Sequence, residues 1–406
     1  MGRRVLGGLR SGATGDVSAV HSGIAELGIV ALATAAAIYQ ILAIIAALRH
    51  RRQPPTANRQ HLPVSILKPV YGQDPGFYQA IRTHALQQYP EFEILFGIRS
   101  LDDPARVEVE RLMAEFPALP IRMVLCSTVA PNLKVGSLID LEREARHSIL
   151  IVNDSDISVP PGYIGDVIAP LSDPRAGLVT CLYRAEAHDW PSRFEALAIA
   201  TDFAPSTLVA QMFGVSDFGL GSTLAFRRAD LDRIGGFRAI ADYIGDDYHL
   251  GHKLAALGLR NIISEVIVST RLASGSWLGA WRHQVRWART IRLSGGAGYA
   301  GLPITFASLW VAMAALFGLW WIALPLLAIR LVMALVCGWM LLGSADVWKS
   351  DVWKYCYVIP LRDLCGVAVW AAGLFGRTVV WRDRRLRLDA EGKIIAAEST
   401  IGSARQ

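Results

Sequence analysis

The chain has 406 residues, of which 52% are hydrophobic, and it carries a net charge of +6. Its mean hydropathy of +0.33 is too high for an ordinary soluble enzyme. Much of the positive charge comes from arginines beside the apolar stretches, which indicates membrane flanking and argues against nucleic-acid binding. The five cysteines form no C-x-x-C pair. This excludes a zinc site of paired cysteines and is typical of buried thiols in a reducing compartment.

The first apolar segment, residues 27–48, contains no charged residue and is long enough to span a bilayer. A signal peptide has a shorter apolar region, so we expect a retained transmembrane anchor after an N-terminal tail, residues 1–26. Only Arg10 lies close before this anchor. The arginines that follow it are Arg49, Arg51, Arg52 and Arg59. The positive-inside rule therefore places the next domain in the cytoplasm.

Residues 60–300 have the composition of a globular domain with a substantial core. Short β-rich runs alternate with stretches of helical pattern, such as 75–88 and 103–116. The β-rich runs cover residues 63–68, 93–99, 121–126 and 148–154. This alternation predicts an α/β fold with a parallel, Rossmann-like sheet covered by helices. Ligands of such sheets bind at the carboxyl ends of the strands, so the polar residues there form the candidate site.

The fourth β-rich run ends in Asp154-Ser155-Asp156, two carboxylates separated by one residue. At the end of a strand this spacing can direct both carboxylates toward one point. Mg²⁺ or Mn²⁺ binds few carboxylates together with substrate phosphate oxygens, so we predict a metal site at Asp154 and Asp156. The alternative is an aspartate that starts a turn, and it applies to Asp156 more than to Asp154.

Three further polar residues follow predicted strands or begin predicted helices. Asp103 is expected to contact the base or ribose of a nucleotide, with a helix N-cap as the alternative. Lys134 is a candidate nucleotide or phosphate ligand, and the alternative is an ordinary surface lysine. Asp247 is a candidate general base for an acceptor hydroxyl, and the alternative is an acid that stabilises a helix dipole.

The pair Arg286-Trp287 lies just before the second apolar block. Its arginine could bind a diphosphate and its tryptophan could stack on a sugar, whereas the alternative is an interfacial membrane anchor. The run G-L-G-S at 219–222 predicts a close-approach loop that lines an acceptor site. Neither G-x-x-x-x-G-K-[ST] nor G-x-S-x-G occurs in the chain, which argues against an ATPase and a serine hydrolase.

The second apolar block covers residues 303–376. Its first part, 303–343, predicts two membrane spans. A tight turn near Pro325 or Arg330 is expected to join them, since each half is then long enough to cross.

The last apolar stretch, residues 355–376, contains Pro360, Arg362 and Asp363. Charges at membrane depth indicate an ion pair, a cavity or a shallow placement. The tail that follows, residues 377–406, is rich in arginine and prefers the cytoplasm. Three full spans would place this tail outside, so we predict that one of the segments is re-entrant or interfacial.

The order of the motifs resembles that of processive and lipid-directed glycosyltransferases of family 2 and its relatives, which have the GT-A fold. The closer resemblance is to the ceramide glucosyltransferase family, over about residues 25–395. The runs that carry it are S-I-L-K-P-V-Y-G (65–72), L-D-D-P-A (101–105), N-D-S-D-I (153–157), Y-I-G-D-D-Y (243–248) and V-V-W-R-D-R-R-L-R-L (379–388). Within that family the chain looks most like the bacterial hopanoid-associated glycosyltransferases, through the runs at 179–184 and 281–292.

The family resemblance implies a mixed-sheet GT-A domain and inverting transfer from a UDP-sugar. It implies that Asp103 contacts the nucleotide, that Asp154 and Asp156 hold a metal diphosphate, that Asp247 is the base, and that Arg286 and Trp287 close the donor site. The expected acceptor region comprises Ser222, Asp246, His283 and Gln284. His283 stands three residues before Arg286, where the family has Gln or Arg, and a histidine can still donate to a phosphate or glycan oxygen.

The hopanoid branch implies UDP-N-acetylglucosamine as donor, bacteriohopanetetrol as acceptor, and a multi-pass protein of the bacterial inner membrane whose catalytic domain faces the cytoplasm. The alternative is a ceramide glucosyltransferase that uses UDP-glucose, since both lipids offer a hydroxyl at the interface. A processive polysaccharide synthase would need more spans for its channel. A non-enzymatic membrane protein would have no reason to place polar clusters at strand ends.

Overall fold

The computed structural model of the chain describes residues 13–52, 61–272, 275–342, 350–382 and 384–399. The ends of the two predicted tails, residues 1–12 and 400–406, lie outside these ranges, as does Arg59.

A central sheet forms the core of the globular domain. Its strands are β1 (Val64–Pro69), β2 (Phe92–Ile98), β3 (Ile121–Leu125), β4 (Ile149–Val152), β5 (Ile157–Ser158), β6 (Ala176–Glu186), β7 (Leu224–Arg227) and β8 (Arg260–Arg271). In the described part of the chain these eight strands pair in the order β3-β2-β1-β4-β7-β6-β8-β5. The pairs β1-β2, β2-β3, β1-β4 and β6-β8 are parallel, whereas β4-β7, β6-β7 and β5-β8 are antiparallel. The predicted α/β fold is confirmed.

Helices cover the sheet and extend away from it. They are α1 (Ala13–Arg51), α2 (Phe77–Ala85), α3 (Ala105–Glu115), α4 (Leu133–Glu144), α5 (Tyr163–Ile168), α6 (Trp190–Ala198), α7 (Ala204–Met212), α8 (Arg228–Arg233), α9 (Asp246–Ala256), α10 (Trp277–Gly295), α11 (Ala307–Leu316), α12 (Trp320–Leu342), α13 (Asp351–Lys354) and α14 (Ile359–Gly373). A π-helical turn, Ile199–Phe203, joins α6 to α7, and a 3₁₀ stretch, Gly296–Thr305, joins α10 to the next apolar helix.

Alternation along the central strands divides the domain into two hydrophobic cores. Ile66 and Phe96 belong to the core beneath α2, α3 and α5, whereas their neighbours Leu67 and Leu95 belong to the core beneath α4 and α9. Successive side chains of a strand point to opposite faces of the sheet. A sheet that is covered by helices on both faces therefore needs apolar residues at odd and at even positions of its strands. Since β1, β2 and β4 are parallel, the loops that follow them meet at one edge of the sheet.

Within the described residues, three helices are long and apolar enough to cross a membrane: Gly23–Arg51, Trp320–Leu342 and Cys356–Gly373. A fourth candidate is the pair Gly298–Thr305 and Ala307–Leu316, which is bent by 59°. The predicted anchor lies inside α1.

The helices α1 and α12 pack side by side and run in the same direction. Ile29 of α1 clusters with Ala323 near the start of α12. Arg51, at the end of α1, donates a hydrogen bond of 3.3 Å to the carbonyl oxygen of Trp339 near the end of α12. The bent pair therefore lies in the chain between two candidate spans, α1 and α12, that run in the same direction.

The turn between the predicted spans of 303–343 lies at residues 317–319, so its expected position near Pro325 or Arg330 is wrong. Gly318 has a φ of 71°, and its N–H donates to the carbonyl of Ala315 at 3.0 Å while the N–H of Leu319 donates to Ala314 at 2.9 Å. These two bonds form a Schellman motif, which satisfies the last carbonyls of α11. Pro325 and Arg330 lie inside α12. Gly318 was the sequence signal for this turn.

Charged residues in the apolar helices meet in one buried cluster. The guanidinium of Arg330 is fully buried and lies 2.6 Å from Asp363 of α14 and 2.7 Å from Asp202 of the π-helical turn. Arg362 lies 3.5 Å from the second oxygen of Asp202. The backbone N–H and hydroxyl of Ser308 also donate to Asp363, at 3.2 and 2.7 Å. Of the possibilities predicted for these charges, the ion pair is confirmed.

Residues of the predicted C-terminal tail form a second, three-stranded antiparallel sheet. Its strands are β9 (Thr378–Trp381), β10 (Arg384–Leu388) and β11 (Ile394–Ser399). Val379, Leu386 and Leu388 pack with Ile244 of the globular domain in a small apolar cluster. The tail is therefore bound to the globular domain, and the two lie on the same side of any membrane.

Candidate active site

The D-S-D run follows β4, and hydrogen bonds of a buried asparagine hold its start in place. The side-chain amide of Asn153 donates to the carbonyl oxygen of Ser222 at 2.7 Å and to the hydroxyl of Tyr163 at 2.9 Å. The N–H of Asp154 donates to the carbonyl of Gly221 at 3.3 Å. These bonds join the end of β4 to the loop before β7, so the residues of both segments face one another.

The two carboxylates of the D-S-D run have different surroundings. Asp154 has a side chain that is 42% exposed and lies 2.8 Å from the Nζ atom of Lys134. Asp156 accepts a short hydrogen bond from the Thr270 hydroxyl of β8. Burial and the negative charge of Asp154 raise the pKa of Asp156. The structure therefore brings both predicted carboxylates together, with Asp154 the more accessible of the two.

Lys134 lies at the centre of the site, so its alternative as an ordinary surface lysine is wrong. The side chain of Asn132 caps α4 by accepting from the N–H of Lys134 at 3.0 Å. From this position the Nζ atom reaches Asp154 at 2.8 Å and Asp246 at 2.9 Å. Burial opposes the charge of Lys134, but the charges of Asp154 and Asp246 outweigh it and raise the pKa of the lysine. Lys134 is thus a permanent cation that bridges two motifs.

Asp247 lies in the first turn of α9 and faces the D-S-D run. Its carboxylate accepts hydrogen bonds from the N–H of Gly221 and from the N–H of Tyr248, both at 2.8 Å. Burial, followed by the charge of Asp246, raises the pKa of Asp247 to about 6. A carboxyl with this pKa is ionised at neutral pH and is a stronger base than an ordinary aspartate, which suits proton abstraction from a hydroxyl.

The loop at 219–222 approaches the carboxylates closely, and only glycine fits at its centre. A Cβ atom on Gly221 would lie 2.8 Å from the Oδ2 atom of Asp154 and 3.3 Å from the Oδ2 atom of Asp247. Ser222 is buried, and its hydroxyl donates to the carbonyl of Cys181 at 2.7 Å. The close approach is confirmed, but the side chain of Ser222 belongs to the packing of the sheet, against its predicted place in the acceptor region.

The helix α10 carries the Arg286-Trp287 pair to the same edge of the sheet. Burial lowers the pKa of Arg286, and the charges of Glu195 and Asp154 partly restore it. Among the described residues its guanidinium makes no ion pair with a carboxylate, so its charge is available to an anionic ligand. The ring of Trp287 packs at 6.4 Å from that of Phe203, in the π-helical turn.

His283 faces a buried acid that the sequence analysis missed. Its Nδ1 atom lies 2.5 Å from the Oε1 atom of Glu195, which is only 4% exposed, and its ring lies 4.8 Å from that of Trp287. Gln284 is half-buried on α10 beside His283. Glu195 is the lone acid in the apolar run F-E-A-L-A-I-A of α6, and that isolation was its signal in the sequence.

Asp103 lies on the opposite side of the D-S-D run, after β2. Its two carboxylate oxygens each accept from the N–H of Gly72 at 3.1 Å, and one accepts from the N–H of Ala105 at 3.0 Å. The second bond satisfies the first backbone N–H of α3, although the N-cap position itself is Pro104 and not Asp103 as the alternative predicted. The first ties the loop after β1 to the loop after β2, and contact with a nucleotide stays a prediction.

Lys68, at the end of β1, is a second residue that the sequence analysis missed. Its Nζ atom is fully buried, donates to the backbone carbonyl of Asp154 at 3.1 Å and lies 3.4 Å from the Nε2 atom of His84. Burial lowers the pKa of Lys68 to about 7, while the charges of Asp156 and Asp154 oppose that shift. Lys68 is the single charged residue of the apolar strand V-S-I-L-K-P. Its bond to the Asp154 carbonyl supports the start of the D-S-D run.

The arrangement of carboxylates fits a divalent cation that is shared with a phosphate ligand. No group of three or more His, Cys, Asp or Glu side chains in the described ranges could hold a metal by itself. Mg²⁺ and Mn²⁺ at phosphate sites need only one or two carboxylates, since water and phosphate oxygens supply the rest. Asp154 is accessible, and burial together with the charge of Asp154 raises the pKa of Asp156, so a cation beside them would stabilise both carboxylates in their ionised form.

Comparison with known sequences gives matches over most of the chain. The family model described as Glycosyl transferase family 21 matches residues 28–394. The chain is similar to ceramide glucosyltransferase 1 of Caenorhabditis elegans, with 24% identity over 365 residues, which cover 87% of this chain and 77% of that protein. It is also similar to ceramide glucosyltransferase 3 of the same organism, with 29% identity over 205 residues, 50% of this chain and 44% of that protein.

Comparison with solved structures supports the fold. A mannosyltransferase of Pyrobaculum calidifontis, solved in complex with GDP-Man and Mn²⁺, superposes with a TM-score of 0.52. The match covers 86% of this chain and 99% of that one, at 21% sequence identity. At this identity the likeness is one of fold, and the predicted GT-A fold with its mixed sheet is confirmed.

Proposed function

The chain belongs to glycosyl transferase family 21, and from this membership we propose that it transfers a sugar from a nucleotide-sugar donor to a hydroxyl group of a membrane lipid, with inversion at the sugar. Membership confirms the predicted enzyme class and excludes the non-enzymatic alternative. The observation that carries the proposal is the pair of carboxylates around Gly221, since the predicted diphosphate ligand Asp154 and the predicted base Asp247 face one point across a residue without a side chain.

Asp247 acts as the base in the proposed transfer. Its carboxylate accepts the proton of the lipid hydroxyl while the hydroxyl oxygen forms a bond to C1 of the sugar. The bond between C1 and the diphosphate oxygen breaks, and its electron pair leaves with the nucleoside diphosphate. One displacement inverts C1 and requires no nucleophile from the enzyme. Gly221 and Tyr248 orient the base through the two N–H bonds of 2.8 Å.

The leaving diphosphate is the group that needs positive charge. We assign this charge to Arg286, whose guanidinium has no carboxylate partner among the described residues. Asp154 and Asp156 would hold Mg²⁺ or Mn²⁺, which when bound supplies a Lewis acid for the diphosphate oxygens. Lys134 keeps Asp154 and Asp246 in place through its bonds of 2.8 and 2.9 Å. Asp103 and Trp287 are proposed to contact the nucleotide and the sugar.

The acceptor that we propose is ceramide and the donor is UDP-glucose. The relatives reported above are ceramide glucosyltransferases, and the matching family model extends through the membrane segments at both ends. His283 and Gln284 of α10 are assigned to the acceptor side, and Asp246, which is bound to Lys134 at 2.9 Å, is assigned to the same region beside the proposed base. Transfer of N-acetylglucosamine to bacteriohopanetetrol stays a prediction from the similarity of the runs at 179–184 and 281–292. The product analysis below distinguishes this acceptor from ceramide.

We also propose that Cys356–Gly373 is the interfacial segment. Before it, Asp351 lies 3.5 Å from Arg193 of α6, and after it Arg292 of α10 donates to the carbonyl of Gly376 at 2.7 Å. Both ends of the segment are thus bonded to the globular domain. Exposed leucines on α14 could then lie at the membrane surface, and a lipid hydroxyl could reach the site without leaving the bilayer.

The test is lipid product analysis with the purified full-length protein in lipid nanodiscs. Ceramide or bacteriohopanetetrol is supplied with UDP-glucose or UDP-N-acetylglucosamine in the presence of Mg²⁺ or Mn²⁺, and products are identified by mass spectrometry. We expect hexosylceramide from UDP-glucose and parallel release of UDP, both abolished by a chelator.

The matched controls are the Asp247→Asn variant and the reaction without lipid. A hexosamine-bearing hopanoid as the main product would replace our acceptor with the hopanoid. The absence of UDP release with any lipid and either cation would contradict the proposed function itself.

A further inference from the structure

The C-terminal sheet is attached to the segment that precedes the Asp246-Asp247 turn. The N–H of Ile394 donates to the carbonyl of Asp242 at 2.7 Å, and the N–H of Ile244 donates to the carbonyl of Gly392 at 3.1 Å. Tyr243 lies between these two bonds and forms a β-bridge with Lys393. The C-terminal sheet therefore pairs with residues 242–244, the backbone segment that leads into the proposed base Asp247.

A second attachment joins the sheet to α10, the helix of Arg286. Arg289 donates to the carbonyl of Thr378 at 2.6 Å and to the carbonyl of Phe375 at 3.1 Å. Arg289 lies one turn of α10 after Arg286. The start of β9 is thus held in place relative to Arg286, the residue proposed to bind the diphosphate.

The end of β9 carries an arginine in an unusual backbone conformation. Arg382 has a φ of 51°, and no other residue except glycine has a positive φ in the described part of the chain. This conformation is unfavourable for a residue with a Cβ atom. It directs the guanidinium toward the loop after β1, where Nη1 donates to the carbonyl of Tyr71 and Nη2 lies 3.4 Å from the Oδ2 atom of Asp74.

The loop that Arg382 contacts belongs to the candidate site. Its residue Gly72 is bonded to both carboxylate oxygens of Asp103, the proposed nucleotide contact. The same Oδ2 atom of Asp74 that faces Arg382 accepts from the hydroxyl of Ser155 at 3.0 Å, and Ser155 lies between the two carboxylates of the D-S-D run. One carboxylate oxygen therefore connects Arg382 with the proposed metal loop.

The positive charge of Arg382 also acts on Arg286. After burial, which is the main cause, the positive charge of Arg382 contributes to the lowered pKa of Arg286. Arg382 is 37% exposed, and Asp74, the one carboxylate that it contacts among the described residues, is shared with Ser155, so the charge of Arg382 is incompletely neutralised. Two guanidinium groups that repel one another favour an anion with several oxygens, such as a diphosphate.

We propose that Arg382 binds the diphosphate of the nucleotide-sugar donor, so that the C-terminal sheet forms one wall of the donor site. This inference rests on the proposed function. The guanidinium exchanges its contacts with Tyr71 and Asp74 for phosphate oxygens when the donor enters. The run V-V-W-R-D-R-R-L-R-L then has a role in donor binding in addition to its basic charge.

The experiment measures binding of UDP and of uridine to the full-length protein in detergent with Mn²⁺, by ligand-observed NMR. Arg382→Ala is compared with Arg387→Ala, which removes the same charge from an exposed position of β10. A charge-assisted hydrogen bond contributes about 1.5–3 kcal/mol, so Arg382→Ala should weaken UDP binding about tenfold or more. Uridine has no phosphate, and its affinity should not change. Arg387→Ala should bind both ligands like the wild type.

A purely mechanical contact between the sheet and the loop would give a different result. Arg382→Ala would then weaken UDP and uridine equally, or neither, and either result would overturn the inference. Arg382→Lys keeps a positive charge and provides a second measurement if the alanine variant is unstable, with UDP affinity expected between those of wild type and Arg382→Ala. Wild-type protein that fails to bind UDP would contradict the proposed function, whereas wild-type binding with no effect of either substitution contradicts only the role of Arg382.

Discussion

Two buried groups of charges occur in this protein, and they are balanced differently. In the cluster between the apolar helices, the arginines Arg330 and Arg362 face the aspartates Asp202 and Asp363. At the edge of the central sheet, one lysine faces three aspartates, Asp154, Asp246 and Asp247. The first group is neutral and the second has an excess of acid.

The difference separates charges that stabilise the fold from charges that remain available for chemistry. Asp363 accepts from both Arg330 and Ser308, so its hydrogen-bonding capacity is used within the protein. Burial, followed by the charge of Asp246, raises the pKa of Asp247 to about 6, and the opposing charge of Lys134 is too weak to cancel that shift. Excess acid at one point is unfavourable for folding but provides a base and a cation site.

The largest effect is expected from Asp247→Asn. The amide can accept the N–H of Gly221 but cannot take a proton from a hydroxyl. We expect the transfer rate to fall by about 10²–10⁴ while UDP affinity is kept. Asp242→Asn, an exposed aspartate nearby, is the matched control. Normal turnover of the Asp247→Asn variant in the UDP-release assay would remove Asp247 from its assigned role.

Breaking the neutral cluster should affect stability and not chemistry. Arg330→Met leaves Asp363 buried without its partner, which costs about 3–5 kcal/mol. We expect a large fall in the thermal midpoint of the purified protein. The double variant Arg330→Met with Asp363→Leu should recover much of the loss, because Arg362 and Asp202 remain paired. A single variant as stable as wild type would show that the ion pair contributes little.

The pH dependence of the rate should show an acid limb near pH 6. The pKa of Asp247 is raised to about 6, so the carboxyl is protonated below that pH and cannot act as a base. The rate at limiting substrate should fall about tenfold for each further pH unit. A rate that remains constant down to pH 5 would contradict the assignment of the limb to this group.

Asp247→Asn should also stabilise the folded protein at neutral pH. A pKa raised on folding favours the protonated form, so the stability present below the usual aspartate pKa is lost as pH rises through about 6. Removing the charge should therefore raise stability at pH 7 by up to about 3 kcal/mol. The thermal midpoints of variant and wild type should differ most at pH 7, differ by about half as much at pH 5, and converge near the usual aspartate pKa of about 4. Equal midpoints at both pH values would mean that the excess acid is harmless.

The smallest effect is expected from Ser222→Ala. The hydroxyl donates to the carbonyl of Cys181 inside the sheet, and its loss should destabilise the protein by about 1 kcal/mol. Activity at 25 °C should stay within about twofold of wild type, since the side chain points away from the two carboxylates. A selective rise in the KM for the lipid would contradict this expectation and would support the assignment of Ser222 to the acceptor region.

Much of the site could be predicted because its residues follow buried strands. Asp154 and Asp156 lie in the loop that follows β4 and Asp103 in the loop that follows β2, and the parallel order of β1, β2 and β4 brings those loops together. Glu195 and Lys68 were missed because each lies inside an apolar strand or helix. A charged residue there does not indicate, from the sequence, toward which edge of the sheet its side chain is directed. Arg382 was predicted only as part of a basic tail, because an arginine-rich run is typical of membrane flanking.

The amino-acid sequence by itself determined the enzyme class, the order of the motifs and the apolar segments, since these depend on residue type, spacing and hydrophobicity along the chain. Only the tertiary structure decided which charges meet. Lys134 became the bridge between Asp154 and Asp246, and Arg330 became the centre of a neutral cluster, through contacts between residues far apart in the chain. Pairing and burial determine both stability and pKa, and neither can be obtained from spacing alone.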